Sequence, residues 1–276
     1  MEIKFDKVNF TYKKINYCEH EVLKNINIKL KAGKINAIVG KSGSGKTTLL
    51  ELITGILKPT TGKVLIDEKE IDNLNNAFDI GYVSQDNNQF LQKTVKEELE
   101  MLLKLYNYKL KEKKKRINDS LIMVGLNEKY LNLNINNLSS GEKKKLALAS
   151  ALILNPSILI IDEPVIGLDR KTKEELKKIF RILKTRYNKT IIFVSNNLDF
   201  VLEVADYIYV LYDKEIVLKG KKIDVLSKTD ILKKYGIIGP NITSFENLVL
   251  TKKQIKIGYR YEINDLIKDI YRCSNW

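Results

Sequence analysis

Gly40-Lys41-Ser42-Gly43-Ser44-Gly45-Lys46-Thr47 stands between a short apolar run, Ile35 to Val39, and a stretch of helical period running from Lys46 to Ile53. A phosphate chain needs several backbone N–H groups converging on it, and only glycines permit so tight a wrap. The helix that opens at the loop adds the positive end of its dipole. In that geometry Lys46 brings a point charge to the outer phosphates, and the Thr47 hydroxyl is placed to bind Mg²⁺. A strand before the loop and a helix after it are the context this motif requires.

Further along, Ile158-Leu159-Ile160-Ile161-Asp162-Glu163 reads as a buried strand whose end delivers two adjacent carboxylates. Taken alone this is also the pattern of a strand running into a surface turn. Downstream of a phosphate loop it predicts a metal-holding Asp162 and a Glu163 that polarises an attacking water. A third segment, Leu138-Ser139-Ser140-Gly141-Glu142, opens a helix rich in Lys and Ala. Ser139 with Glu142 three residues on is also a plain capping box.

Working outward, Ile3–Thr11 and Glu21–Leu30 read as strands, as do Lys63–Ile66 and Ile80–Ser84. Thr94–Tyr106, Glu112–Met123 and the stretch after Gly141 have helical period. Thr190–Val194 is a second buried strand, and helix Lys171–Tyr187 between it and Ile158–Ile161 makes a βαβ unit. Ile208–Tyr212 and Glu215–Lys219 form a hairpin around Asp213-Lys214. After about Val225 the pattern weakens into a small C-terminal appendage, with a short helix expected over Asn264–Tyr271.

At 276 residues and 44% hydrophobic, the chain has material for one large domain, or one domain plus an appendage, with a substantial core. The longest apolar stretch, Leu146 to Ile161, is interrupted by Asn155-Pro156 and falls short of a membrane span. The N-terminus alternates like a strand and lacks the apolar core of a signal peptide, so the chain is expected in the cytosol unless a partner brings it to a membrane. Cys18 and Cys273 lie far apart and read as ordinary reduced thiols. The net charge of +14 is compatible with nucleic acid, an anionic membrane surface or nucleotide phosphates, and equally with a Lys-, Asn- and Ile-rich composition. The run Lys109–Arg116 reads as a solvated helix face.

In this order the three motifs resemble the ATP-binding subunits of ABC transporters. Gly40–Thr47 is similar to the Walker A loop, Ile158–Glu163 to Walker B, and Leu138–Glu142 to the LSGGQ signature. The resemblance covers roughly Met1 to Val225. It implies an α/β P-loop NTPase fold with a RecA-like core, an antiparallel β subdomain and a helical subdomain at about 86–150, followed by the appendage at 226–276. It implies Tyr12 as the aromatic that stacks on adenine, although a core tyrosine at a strand end reads the same way. It further implies nucleotide contacts from Gly40, Lys41, Ser42, Gly43, Ser44, Gly45, Lys46, Thr47 and Thr48. Gln85 matches the Q-loop glutamine, which touches Mg²⁺ and couples to the membrane partner, and a groove near it would receive a helix of that partner. Gly167-Leu168-Asp169 matches the D-loop, with Asp169, and the signature residues Ser139, Ser140, Gly141 and Glu142 would pair with the Walker loop of a second ATPase subunit. Within the superfamily, Asp86-Asn87-Asn88-Gln89-Phe90 and the tail Leu232-Lys233-Lys234-Tyr235-Gly236-Ile237 are similar to the energy-coupling-factor (ECF) ATPases of vitamin and metal uptake.

Two departures stand out. The family places a switch histidine where this chain has Asn196, in Val194-Ser195-Asn196-Asn197, and its only histidine is His20. Asn196 can donate a hydrogen bond to a γ-phosphate but cannot shuttle a proton. The signature carries Ser140 for glycine and Glu142 for glutamine. The resemblance therefore implies an ATP- and Mg²⁺-binding transporter motor, peripheral on the cytoplasmic face of the membrane. It would pair with a second ATPase subunit, alike or unlike, and with integral membrane subunits, its own site weakened. An exporter motor shares the core motifs. A non-transport ABC ATPase acting on nucleic acid or ribosomes usually carries two cassettes or a long coiled-coil insertion, and this chain has neither.

Overall fold

The computed structural model describes residues 1–13, 19–71, 79–86, 90–105, 110–242, 267–268 and 271–272. Its first layer is antiparallel. β1 (Ile3–Lys13) pairs with β2 (Glu19–Leu30) on one side and β4 (Thr61–Ile66) on the other, and β4 carries the short β5 (Lys69–Glu70) at its edge. In β1 the buried positions are Ile3, Phe5, Val8 and Phe10, so the inward parity changes between Phe5 and Val8. A register shift lies at that point, and Lys7 takes a positive φ of 50°. The extra residue of a bulge moves the following side chains back onto the core face.

The second layer is a six-stranded sheet, in order β10-β9-β3-β8-β7-β6. Its strands are β3 (Ile35–Val39), β6 (Ile80–Val83), β7 (Ile158–Asp162), β8 (Thr190–Val194), β9 (Tyr207–Tyr212) and β10 (Glu215–Lys221). All pairs are parallel except the β9–β10 hairpin. That hairpin turns through Asp213 and Lys214 at φ 45° and 70°, the two successive positive values of a type I′ turn.

Every residue of β3, β7 and β8 is buried, because this sheet is covered on both faces. Ile158, Ile160, Ile192 and Val194 face the antiparallel layer and α1 (Lys46–Thr54). Leu159, Ile161, Ile191 and Phe193 face the other helices. These are α2 (Val95–Leu105), α3 (Leu110–Met123), α4 (Ser140–Leu152), α5 (Arg170–Thr185) and α6 (Leu198–Val204). In α2 the buried positions Val95, Leu99 and Leu103 recur every four residues, as an amphipathic helix requires. Phe180, Phe193 and Phe200 meet edge to face with centroids 5.7 Å apart, tying α5 and α6 to β8. The α/β fold with a parallel core sheet, an antiparallel layer and a helical portion is the one expected from the sequence.

Beyond β10 come α7 (Lys222–Leu226) and α8 (Thr229–Lys234). Val225, Leu226, Leu232 and Ile237 join the same core as α2–α6. The weak pattern after Val225 reflects helices only five and six residues long, too short to display a period. Ile267, Lys268, Tyr271 and Arg272 are helical, while the rest of Asn264–Tyr271 lies outside the described residues, as do Cys18, Cys273 and Asn87–Gln89. Among the described residues, no helix is long and apolar enough to cross a membrane.

Candidate functional site

The C-terminal ends of the parallel strands converge, as is usual for ligand sites in open α/β sheets. Ile38 pairs with Val194, and Val194 with Asp162, so the loops after β3, β8 and β7 emerge side by side. After β3 the chain turns through Gly43 and Gly45 at φ 77° and 97°, and α1 begins at Lys46. An L side chain at Gly45 would strain the backbone and collide with Val22. Gly40 is buried against the Leu211 carbonyl at the end of β9, leaving no room for a Cβ.

Lys46 is only 7% exposed, and its ammonium donates to the carbonyls of Gly40 and Lys41, each at 2.8 Å. The side chain thus closes the loop over its own root. The Thr47 hydroxyl donates to Asp162 Oδ2 at 2.8 Å, joining phosphate loop and acid pair across 115 positions. Glu163 takes a positive φ of 44°, its N–H donates to Val194 O, and its Oε2 accepts the Asn196 N–H at 3.4 Å. Burial pushes Asp162 and Glu163 above the ordinary carboxylate range, and the same burial pushes Lys46 down. A fourth buried charge is Lys144 of α4, 1% exposed and without a hydrogen-bond partner. Burial pushes it down to about 8, against the attraction of Asp162 and Glu163. Two ammonium groups and two carboxylates therefore share one desolvated region. Sequence reasoning missed Lys144, because one lysine in Lys143-Lys144-Lys145 carries no local sign that it points inward.

These residues fit a magnesium nucleotide. Ser44 Oγ is buried without a hydrogen-bond partner, and Gly43 has open space about it. Thr47 and Asp162 present a paired hydroxyl and carboxylate, the hard oxygen donors that Mg²⁺ prefers.

The other expected site residues sit as follows. Lys41, Ser42 and Thr47 are exposed and Thr48 is buried. Tyr12 is 37% exposed, its ring edge-on to Phe10, its hydroxyl within 3.1 Å of Thr48 Oγ1 and donating to Glu51 Oε2. Gln85 is exposed two residues past Val83, which pairs with Ile161, so the register brings it level with Glu163. A cavity of about 210 Å³ opens beside it, lined by Tyr82, Ser84, Asp86, Phe90 and Leu102 among others.

Leu138–Glu142 has no hydrogen bond to the phosphate loop among the described residues. Ser139 caps α4 in a full capping box, accepting from Glu142 N at 3.2 Å while Glu142 Oε2 accepts from Ser139 N at 2.8 Å. Tyr130 OH donates to the second Glu142 oxygen at 2.9 Å. Gly141 packs so closely on Thr172 that a Cβ would collide with it, and Asp169 caps α5 through Thr172 N at 2.7 Å. Ser139, Ser140 and Asp169 are exposed, and so is Ile166 at 53%.

The hydrogen bonds from Ser139 hold Glu142 below the ordinary carboxylate range. A folded pKa below the unfolded one stabilises at neutral pH, and the contribution is lost as pH falls through the folded value. Glu142→Ala is expected to cost about 1 kcal/mol at pH 7. Thermal melts of parent and variant should converge as pH falls through the lowered folded value of Glu142, and a gap that persists once the carboxyl is protonated would contradict the capping role.

The matching sequence family, ABC transporter, spans residues 23–166. The energy-coupling factor transporter ATP-binding protein EcfA2 of Enterococcus faecalis is 34% identical, over 98% of this chain and 94% of that protein. Its namesake from Clostridium perfringens is 33% identical, over 88% of each chain. Among solved structures, cbiO1 from Clostridium perfringens, part of the ABC transporter complex cbiONQ, has a TM-score of 0.74 at 30% identity, covering 89% of this chain and 98% of that one. A dimeric ATP-binding cassette in a post-hydrolysis state bound to ADP and Pi has a TM-score of 0.71 at 33% identity, covering 80% and 98%. With these relatives and a phosphate loop bonded to its acid pair, the chain belongs to the ABC transporter family as an ATP-binding ATPase subunit, most like those of energy-coupling factor transporters.

Proposed function

We infer that this chain is the weaker of two unlike ATPase subunits driving an ECF-type importer of a vitamin or metal ion. It would act as a peripheral protein on the cytoplasmic face of the membrane, with integral membrane subunits as its partners. The observation that carries the weaker-site reading is Asn196, whose N–H reaches Glu163 Oε2 at 3.4 Å in a chain whose only histidine is His20, on β2. The residue beside the proposed general base thus has no group that can relay a proton at neutral pH.

In this reading residues 1–225 form the ATP-binding domain, with the helical subdomain at about 86–150, and residues from 226 on form an appendage whose first turns share its core. Gly40–Thr48 wraps the phosphates, Lys46 holds the outer ones, and Tyr12 offers the exposed ring face to adenine. Mg²⁺, held by Thr47, Asp162 and Gln85, would neutralise part of the triphosphate charge. Glu163 draws the proton of the attacking water, while Asn196 donates only a fixed hydrogen bond. Ser139, Ser140 and Asp169, with Ile166 beside them, lie on an exposed surface suited to a second subunit's nucleotide, with Gly141 buried behind them against Thr172. Glu142 is already occupied by Ser139 and Tyr130, so its charge is turned into the helix cap rather than toward that nucleotide. The cavity beside Gln85 suits a segment of a membrane subunit.

Phosphate release by the purified chain, alone and mixed with a histidine-bearing ECF ATPase, tests the pairing. Turnover should be low alone and rise at least about tenfold in the mixture. Full activity alone, unchanged in Asn196→Ala, would remove the proposal.

A further inference from the structure

The segment Leu232–Asn241 makes contact at or beside the candidate nucleotide site at three separate points. Leu232 is fully buried and anchors its start in the helical core. Tyr235 then packs its ring on Tyr212, centroids 4.8 Å apart. Tyr212 directly follows Leu211, whose carbonyl abuts Gly40 at the root of the phosphate loop.

The second point is Gly236. α8 ends there in a left-handed turn, φ 66°, with Gly236 N–H donating to Lys233 O at 2.8 Å and Ile237 N–H to Leu232 O at 2.9 Å. The Lys41 side chain lies across the bare Cα of this glycine, so that a Cβ at 236 would collide with Lys41 Cε and Nζ. The third point is Asn241, whose backbone N–H donates to Asp199 Oδ1 at 2.9 Å and whose side-chain amide donates to Asp199 Oδ2 at 2.6 Å. Asp199 is in the first turn of α6, which is capped by Asn197, the neighbour of Asn196.

We propose that Leu232–Asn241 is a positioning strap of the nucleotide site, setting the Lys41 side chain through Gly236 and the Asn196 loop through the Asn241–Asp199 pair. The strap rests on Gly40–Thr47 being the nucleotide loop, but assigns to tail residues a role that no motif carries. Two loops that must hold one ligand together are linked by a segment that touches Lys41 in the first and Asp199 in the helix that follows the second. Whatever moves those loops on nucleotide binding must move the strap, and by linkage a displaced strap must change nucleotide affinity by the same factor.

The test is titration of the full chain with a fluorescent ATP analogue and MgCl₂, alongside amide hydrogen exchange. Asn241→Asp sets a carboxylate against Asp199, and should weaken binding about fivefold with an unchanged melting temperature. Adding Asp199→Asn to it should restore most of the affinity. Gly236→Ala should displace Lys41 and weaken binding by a similar factor, and its effect should largely vanish in a Lys41→Met background. In the parent chain, saturating analogue should slow exchange at Gly236–Asn241. A merely structural segment would leave the exchange unchanged and the charge swap without effect. Parent-like affinity in Asn241→Asp, with exchange at 236–241 indifferent to nucleotide, overturns the strap. Should Gly236→Ala fail to fold, the exposed Asn241–Asp199 pair still decides. A parent chain that binds no analogue would instead fail the nucleotide-loop reading itself, a separate result.

Discussion

Replacing Lys46 by Met is expected to weaken Mg·ATP binding by the purified chain about 100-fold or more. The methionine fills nearly the same buried volume, so the fold should survive, but the ammonium does two things that a thioether cannot. It is a buried cation at the root of the glycine loop, and charge-assisted hydrogen bonds to phosphate are each worth about 1.5–3 kcal/mol. It also closes the loop by donating to Gly40 O and Lys41 O at 2.8 Å, so its removal loosens the wrap that aims the backbone N–H groups. Every 1.4 kcal/mol is tenfold in affinity, so losing two such bonds accounts for the expected change. Equilibrium titration with labelled nucleotide, with circular dichroism as the folding control, measures it. A dissociation constant within threefold of the parent would refute the phosphate loop, and with it the motor.

Asn196→His should act in the opposite direction, raising steady-state phosphate release by the isolated chain about tenfold or more. General acid–base groups contribute about 10²–10⁴ to rates, and the substitution supplies a group able to relay a proton beside Glu163. The position tolerates the ring, since Asn196 is exposed and engages Glu163 only through its backbone N–H. The gain should disappear when Glu163→Gln is added, because the imidazole acts on a reaction that the carboxylate starts. No gain in Asn196→His, with nucleotide affinity intact, would move the cause of weak turnover elsewhere in the site.

Local signals were legible where chain neighbours carry the physics. The glycine loop, the four-residue apolar run before Asp162 and the Ser139–Glu142 box can each be read within eight positions. The capping box was an open alternative in the sequence, and the structure shows that Glu142 spends both oxygens on Ser139 and Tyr130. The Asp213-Lys214 turn was likewise readable, because two consecutive residues set it.

Contacts between distant residues were not legible. Nothing near Lys144 says that it is buried beside the acid pair, because its neighbours Lys143 and Lys145 are partly exposed on the same helix. Nothing in the tail says that Gly236 underlies Lys41 or that Asn241 meets Asp199, because both pairs form only when the segment after α8 folds back on the loop after β3 and on α6.

By itself, then, the sequence determined which residues could cradle phosphates and which could hold a cation, since short spacing settles those, while the missing proton-relaying group is read through the family resemblance. The tertiary structure alone decided which charges share a desolvated region and which loops the tail ties together. Burial and cross-chain hydrogen bonds come from packing two layers and their helices, and packing has no signature in a stretch of neighbouring residues.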